Sequence, residues 1–83
     1  MTTKRTIMTV DDSPSIRQLV GLTLLQEGHN VVEAEDGAQA LSKLQTTKVD
    51  MVITDLNMPN MDGITLIGRL RALPAYKYIP IIM

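Results

Sequence analysis

Cysteine is missing from the 83 residues, as are tryptophan and phenylalanine, and two tyrosines are the only aromatics. Without thiols, disulfides and thiolate metal sites are excluded, which fits a reducing compartment. With so few rings the core must be assembled from Leu, Ile, Val, Met and Ala, an aliphatic and somewhat deformable filling. An excess of one charge is also lacking. Eight Lys and Arg stand against nine Asp and Glu, a net of −1, and the pI is near 5.6. That balance gives no electrostatic reason for direct contact with nucleic acid or an anionic membrane. No apolar run approaches the roughly 18 residues of a membrane span, and the N-terminus lacks the apolar centre of a secretory signal, so the cytosol is the expected compartment. The length admits one domain, burying about 60–65% of its unfolded surface, with a thin stability margin.

Within those bounds the most informative stretch is Val49 to Gly63. The apolar run Met51-Val52-Ile53 predicts a strand of a parallel sheet buried on both faces, and Asp55 then falls at its carboxyl end. Open α/β sheets place their chemistry there. Pro59 cannot continue a ladder, and Asp62-Gly63 is a helix N-cap signal, so the order is strand, acid-bearing loop, helix.

The same pattern occurs earlier. Thr6 to Val10 is short, β-branched and apolar, and it runs into Asp11-Asp12. Ser13-Pro14 starts a helix, expected from about Pro14 to Glu27, with Ile16, Leu19, Val20 and Leu24 on one face and Gly28 capping its end in a left-handed conformation. Asn30 to Ala34 reads as a second strand at a sheet edge. Asp36 and Gln39 have capping-box spacing for a helix whose face carries Gly37, Ala40, Leu41 and Leu44. After Asp62-Gly63 a third helix is expected to bury Leu66, Ile67, Leu70 and Leu73 and to stop at Pro74. Ile79 to Met83 begins a fourth strand. Strand and helix alternating in this way predict a doubly wound α/β fold with a parallel sheet and right-handed crossovers.

If the first and third strands are neighbours, Asp11, Asp12 and Asp55 converge at one end of the sheet. Carboxylates that close repel one another, and a hard divalent cation relieves the repulsion. Mg²⁺ takes one or two protein carboxylates, a backbone carbonyl and waters, keeping positions open for phosphate oxygens. With no cysteine and a single histidine, zinc or iron does not suit the set. A carboxylate beside such an ion can attack a phosphoryl donor and form an acyl phosphate. His29, at a turn without a metal-type partner, reads as a solvated side chain. Met8, Met51, Met58, Met61 and Met83 read as core filler, and Tyr76 and Tyr78 as packing on or near the surface before the fourth strand.

Asp11-Asp12-Ser13 after one strand, Asp55-Leu56-Asn57-Met58-Pro59 after another, Met61-Asp62-Gly63 at the next helix and the Asp36-Gly37 turn together resemble the receiver domain of two-component response regulators, most like the single-domain chemotaxis type. The resemblance covers essentially the whole chain. It implies a flavodoxin-like receiver fold with sheet order 2-1-3-4. It also implies a phosphoacceptor, not itself an enzyme, in which Asp55 takes a phosphoryl group from a phosphohistidine on a sensor histidine kinase. Carried over position by position, Asp12 would bind Mg²⁺ directly, Asp11 mainly through water, Asp55 through its carboxylate and Asn57 through its backbone carbonyl.

Members of that family continue past the point matching Met83, through a switch hydroxyl residue and a lysine-bearing fifth strand. Residues 1–83 are therefore expected to be the N-terminal portion of a receiver domain that keeps weak Mg²⁺ binding and signals poorly. The fourth strand and the first helix are expected to leave apolar surface open to self-association or to a complementary fragment. Three other chemistries fit less well. A calcium loop fails because Pro59 takes a ligand position and Asn60 stands where glycine is required. An aspartate-dependent phosphohydrolase would want an aspartate where Asn57 is, and a nucleotide site would need glycines in place of Asp11-Asp12-Ser13-Pro14. The competing function is a non-signalling or self-associating scaffold that keeps the fold without its output.

Overall fold

A computed structural model describes residues 4–83. Its elements are β1 (Thr6–Val10), α1 (Pro14–Gln26), β2 (Asn30–Ala34), α2 (Gly37–Leu44), β3 (Met51–Thr54), α3 (Gly63–Arg71), a 3-10 turn at Pro74–Tyr76, and β4 (Ile81–Ile82). The strands form one parallel sheet in the order β2-β1-β3-β4. The chain thus starts in the middle of the sheet, goes to one edge and returns to the other side of β1. That reversal leaves a crevice at the carboxyl ends of β1 and β3.

β1 is sealed on both faces. Ile7, Met8, Thr9 and Val10 are all at least 97% buried, as a strand with helices above and below requires. On the α2/α3 side Met8, Val10, Ala34, Ala40, Val49, Val52, Leu66, Leu70 and Tyr76 form the core. The other side is less complete. α1 packs on β1 and β2, so Val52 and Thr54 of β3 are buried while Met51 and Ile53 are only half-buried. The expectation of a β3 buried on both faces is corrected to one face.

Three helix starts follow from local chemistry. The Ser13 hydroxyl accepts from the Ile16 amide ahead of Pro14. The Asp36 carboxylate accepts from the Gln39 amide at 2.8 Å, and Asp62 from the Thr65 amide at 2.7 Å. The capping box is displaced by one residue, since the Gln39 side chain accepts from the Glu35 amide instead of that of Asp36. Gly28 is left-handed, φ 91°, as its place beyond α1 predicts.

Several expectations are corrected by tertiary packing. On α1, Val20 and Leu24 are half-buried, whereas Ile16, Leu19, Leu22 and Leu25 are exposed. α3 ends at Arg71, so Leu73 lies beyond it and is exposed, while Leu66 and Leu70 are fully buried and Ile67 half-buried. The fourth strand is confined to Ile81–Ile82. Tyr76 is buried under α3 by the 3-10 turn, and only Tyr78 is exposed. His29 is half-buried and accepts the Arg5 amide at Nδ1. Of the methionines, Met8 is fully buried, Met51, Met58 and Met61 are half-buried and Met83 is exposed.

Candidate functional site

Two backbone hydrogen bonds carry the sheet one residue past its strands. The Asp11 amide donates to the Ala34 carbonyl at 3.1 Å, and the Asp55 amide donates to the Val10 carbonyl at 2.9 Å. Asp11 and Asp55 are therefore held at adjacent strand tips by the rigid ladder, with side chains emerging into the crevice. Asp12 follows Asp11 into the turn before α1. The three carboxylates converge so that an oxygen from each lies within 4.8 Å of the others. Asp11 and Asp55 are half-buried and Asp12 is exposed.

Local hydrogen bonds orient two of the acids and leave capacity on each. Asp11 Oδ1 accepts from the Ser13 amide at 2.8 Å, and Asp55 Oδ1 accepts from the Leu56 amide at 2.8 Å. A carboxylate has about four acceptor positions, so both keep free lone pairs. Among the described residues the only ion pair joins Arg17 and Glu33 at 2.9 Å, so none of the three acids is in a salt bridge. The donor set is all oxygen, negatively charged and open to solvent on one side, which fits a hard divalent ion with retained waters. Asn57, exposed, lies two residues beyond Asp55 on the β3–α3 loop and is the one predicted site residue outside the carboxylate cluster.

Three supporting contacts were not legible as site features in the sequence. Arg17 reaches back from α1 with Nη1 donating to the Asp11 carbonyl at 2.7 Å while Nε binds Glu33, tying the β1–α1 turn to β2. Gly63 packs so closely beneath Asp55 that a Cβ there would lie 3.1 Å from the Asp55 carbonyl carbon and from the Leu56 Cα. Its amide donates to the Leu56 carbonyl at 2.9 Å. Asp36, besides capping α2, accepts from Asn60 Nδ2 at 2.8 Å. The Gln39 amide, then the Asn60 side chain, hold the Asp36 carboxyl below its ordinary value, outweighing burial. Asp62 is likewise lowered, first by the Thr65 amide and then by its hydroxyl.

A wider apolar cavity, about 600 Å³, lies at the opposite end of the sheet, where α2 and α3 finish, among Leu41, Leu44, Leu73 and Tyr76. It brings none of the acids to its walls.

A family model described as the response regulator receiver domain matches residues 7–83. The gliding motility regulatory protein of Myxococcus xanthus is 42% identical over 77 residues, covering 93% of this chain and 10% of that protein. The transcriptional regulatory protein GlrR of Escherichia coli K12 is 46% identical over 65 residues, covering 78% of this chain and 15% of that protein. Among solved structures, the chemotaxis response regulator CheY4 of Vibrio cholerae superposes with a TM-score of 0.91 at 43% identity, covering 95% of this chain and 66% of that one. TrrA of Thermotoga maritima, solved in complex with Mg²⁺-BeF, gives 0.78 at 38% identity over 82% of this chain and 59% of its own. The chain thus spans just under two thirds of CheY4, 59% of TrrA and a small part of the two curated relatives.

Proposed function

The chain belongs to the response regulator receiver family, and from that premise we propose that Asp55 is its phosphoacceptor and that Asp11, Asp12 and the Asn57 carbonyl join Asp55 in holding Mg²⁺. Receiver domains take phosphoryl groups from sensor histidine kinases, and the donor expected here is the phosphohistidine of such a kinase. Residues 1–83 are read as the N-terminal portion of one receiver domain. The observation that carries the proposal is the convergence of three carboxylates from the tips of two hydrogen-bonded strands, none of them in an ion pair among the described residues.

Each residue has a separate task. The Asp55 carboxylate oxygen left free by the Leu56 amide is the nucleophile, and its attack on phosphorus forms an acyl phosphate while the donor's nitrogen leaves with the P–N bond electrons, or, from an oxygen-linked small donor, its oxygen with those of the P–O bond. The ladder bond from the Asp55 amide to Val10 fixes where that oxygen stands. Asp11, turned by the Ser13 amide, and exposed Asp12 supply negative charge on the opposite wall. A bound Mg²⁺ would offset the charge that builds on the transferred oxygens. The related protein solved with Mg²⁺-BeF supports this reading.

Incubation with a small phosphodonor and Mg²⁺, followed by intact mass measurement, tests it. One added phosphoryl group, lost on Asp55→Asn, is the expected result, and no gain in mass from the parent chain would refute it. A second reading, a scaffold that self-associates without output, draws on the exposed Ile16, Leu19, Leu22 and Leu25 of α1. Light scattering at micromolar concentration separates the two, a compact monomer excluding the scaffold.

A further inference from the structure

The loop from Asp55 to Gly63 has no regular structure, yet it must hold the Asn57 carbonyl in place if that group is to meet a metal ion. Its far end is fastened to a different part of the molecule. Asn60 Nδ2 donates to Asp36 Oδ2 at 2.8 Å, and one residue on the Gly37 amide donates to the Met61 carbonyl at 3.3 Å. Gly37 packs tightly on the same residue, since a Cβ there would come within 2.9 Å of Met61 Cβ and Sδ. Asn60 itself is left-handed, φ 68°, a conformation that asparagine accepts better than most residues and that turns its amide toward Asp36. The other oxygen of the same carboxylate accepts from the Gln39 amide and so is fixed to the start of α2. One buried carboxylate therefore spans two elements 24 residues apart in sequence.

We propose that Asp36 is a positioning residue, which through Asn60 clamps the β3–α3 loop and so presents the Asn57 carbonyl to the divalent ion. The inference rests on the functional reading above and goes beyond it by assigning part of the ion affinity to a residue that does not touch the ion. Of the two ends of the loop, Asp55 is held by the sheet and Asn60 by Asp36, and Asn57 hangs between them.

The test uses the full chain and calorimetric titration with MgCl₂, together with the rate of phosphoryl uptake from a small phosphodonor as a function of Mg²⁺. Asn60→Gly removes the clamp at a backbone position that glycine occupies without strain. It is expected to weaken Mg²⁺ binding about tenfold, the low end of the cost of losing a group that orients a metal ligand, and to leave the uptake rate at saturating Mg²⁺ within about twofold. The double variant Asp36→Asn/Asn60→Asp reverses donor and acceptor. The amide at position 36 still caps α2 through its oxygen and donates to the carboxylate at position 60, so parental Mg²⁺ affinity is expected to return, whereas Asn60→Asp alone sets two carboxylates against each other and stays weak. Unchanged affinity in Asn60→Gly, a fall in the saturated rate without a fall in affinity, or no recovery in the double variant would overturn the clamp. A parent chain that takes up neither Mg²⁺ nor a phosphoryl group overturns the functional reading and the clamp together, so the two failures are told apart by the parent alone.

Discussion

Three glycines in this chain call for opposite responses to the same added methyl group, and Gly63→Ala is the most demanding of them. Gly63 opens α3 directly beneath the Asp55–Leu56 backbone. Its new Cβ would sit well inside contact distance of the Asp55 carbonyl oxygen and 3.1 Å from the Asp55 carbonyl carbon and the Leu56 Cα. All of these are main-chain atoms at the end of a ladder, so no rotamer change relieves the overlap. Overpacking of this kind costs about 1–3 kcal/mol, and parting the Gly63 amide from the Leu56 carbonyl adds about 1 kcal/mol. A total of roughly 2–4 kcal/mol is a large share of the roughly 4–12 kcal/mol expected for a chain of this size.

Gly37 and Gly68 meet the same added methyl group in looser surroundings. At Gly37 the obstacle is the Met61 side chain, 2.8–2.9 Å away, which can adjust, and about 1 kcal/mol is expected. At Gly68, exposed inside α3, no neighbouring element among the described residues comes within 4 Å of an added Cβ, so alanine should stabilise by about 0.8–1 kcal/mol through helix propensity. Urea unfolding followed by circular dichroism at constant m reads all three. The order from most to least stable should be Gly68→Ala, parent, Gly37→Ala, Gly63→Ala, with the last melting about 10–25 °C below the parent. Gly63→Ala should also slow phosphoryl uptake at temperatures where it is folded, because a shift of about 1 Å at a reacting group costs up to about 100-fold. A Gly63→Ala protein within about 0.5 kcal/mol of the parent, inside the ordinary range for a surface change, would refute the reasoning.

Other substitutions probe separate features. Arg71 Nη1 donates to the carbonyls of Lys77 at 3.0 Å and Ile79 at 2.7 Å, clipping the segment before β4. Arg71→Ala should cost about 1–2 kcal/mol and raise amide exchange over residues 77–82, while a variant with unchanged exchange would show the clip to be idle. The Thr9 hydroxyl is buried in β1 without a partner among the described residues, so Thr9→Val should raise the urea midpoint by the equivalent of about 1 kcal/mol, and a lowered midpoint would count against an unpaired hydroxyl. Because the folded Asp36 carboxyl lies below its ordinary value of 3.8, its contribution is complete above the unfolded value and disappears as pH falls through the folded one. The parent's stability advantage over Asp36→Asn should therefore be present at pH 6 and shrink below about pH 4, and an advantage growing toward acid would reverse the assignment.

Much of the fold was legible because it is written locally. Thr6–Val10 carries its strand signal within five residues, and Asp36 and Asp62 announce helix starts by bonding amides three residues on. The convergence of Asp11, Asp12 and Asp55 needed only one further assumption, that β1 and β3 pair, and the sheet order meets it. What escaped depends on contacts distant in sequence. Periodicity marks Ile16 and Leu19 as sharing a face of α1, yet nothing local says whether another element covers that face. Tyr76 gave no burial signal because its place under α3 depends on the turn at Pro74. The second partner of Asp36 lies 24 residues away, and the Asp62-Gly63 pair advertises a cap while hiding the close approach to Asp55.

The arrangement of the two tyrosines sets what ultraviolet spectroscopy can see. Tyr76 is enclosed at the end of the sheet remote from the acids, and Tyr78 is exposed beside it with the Lys77 ammonium 5.6 Å from its ring centre. Tyrosine emission will therefore report unfolding faithfully while staying silent to events at Asp55. Following the acid cluster optically will require a chromophore introduced near the mouth of the sheet.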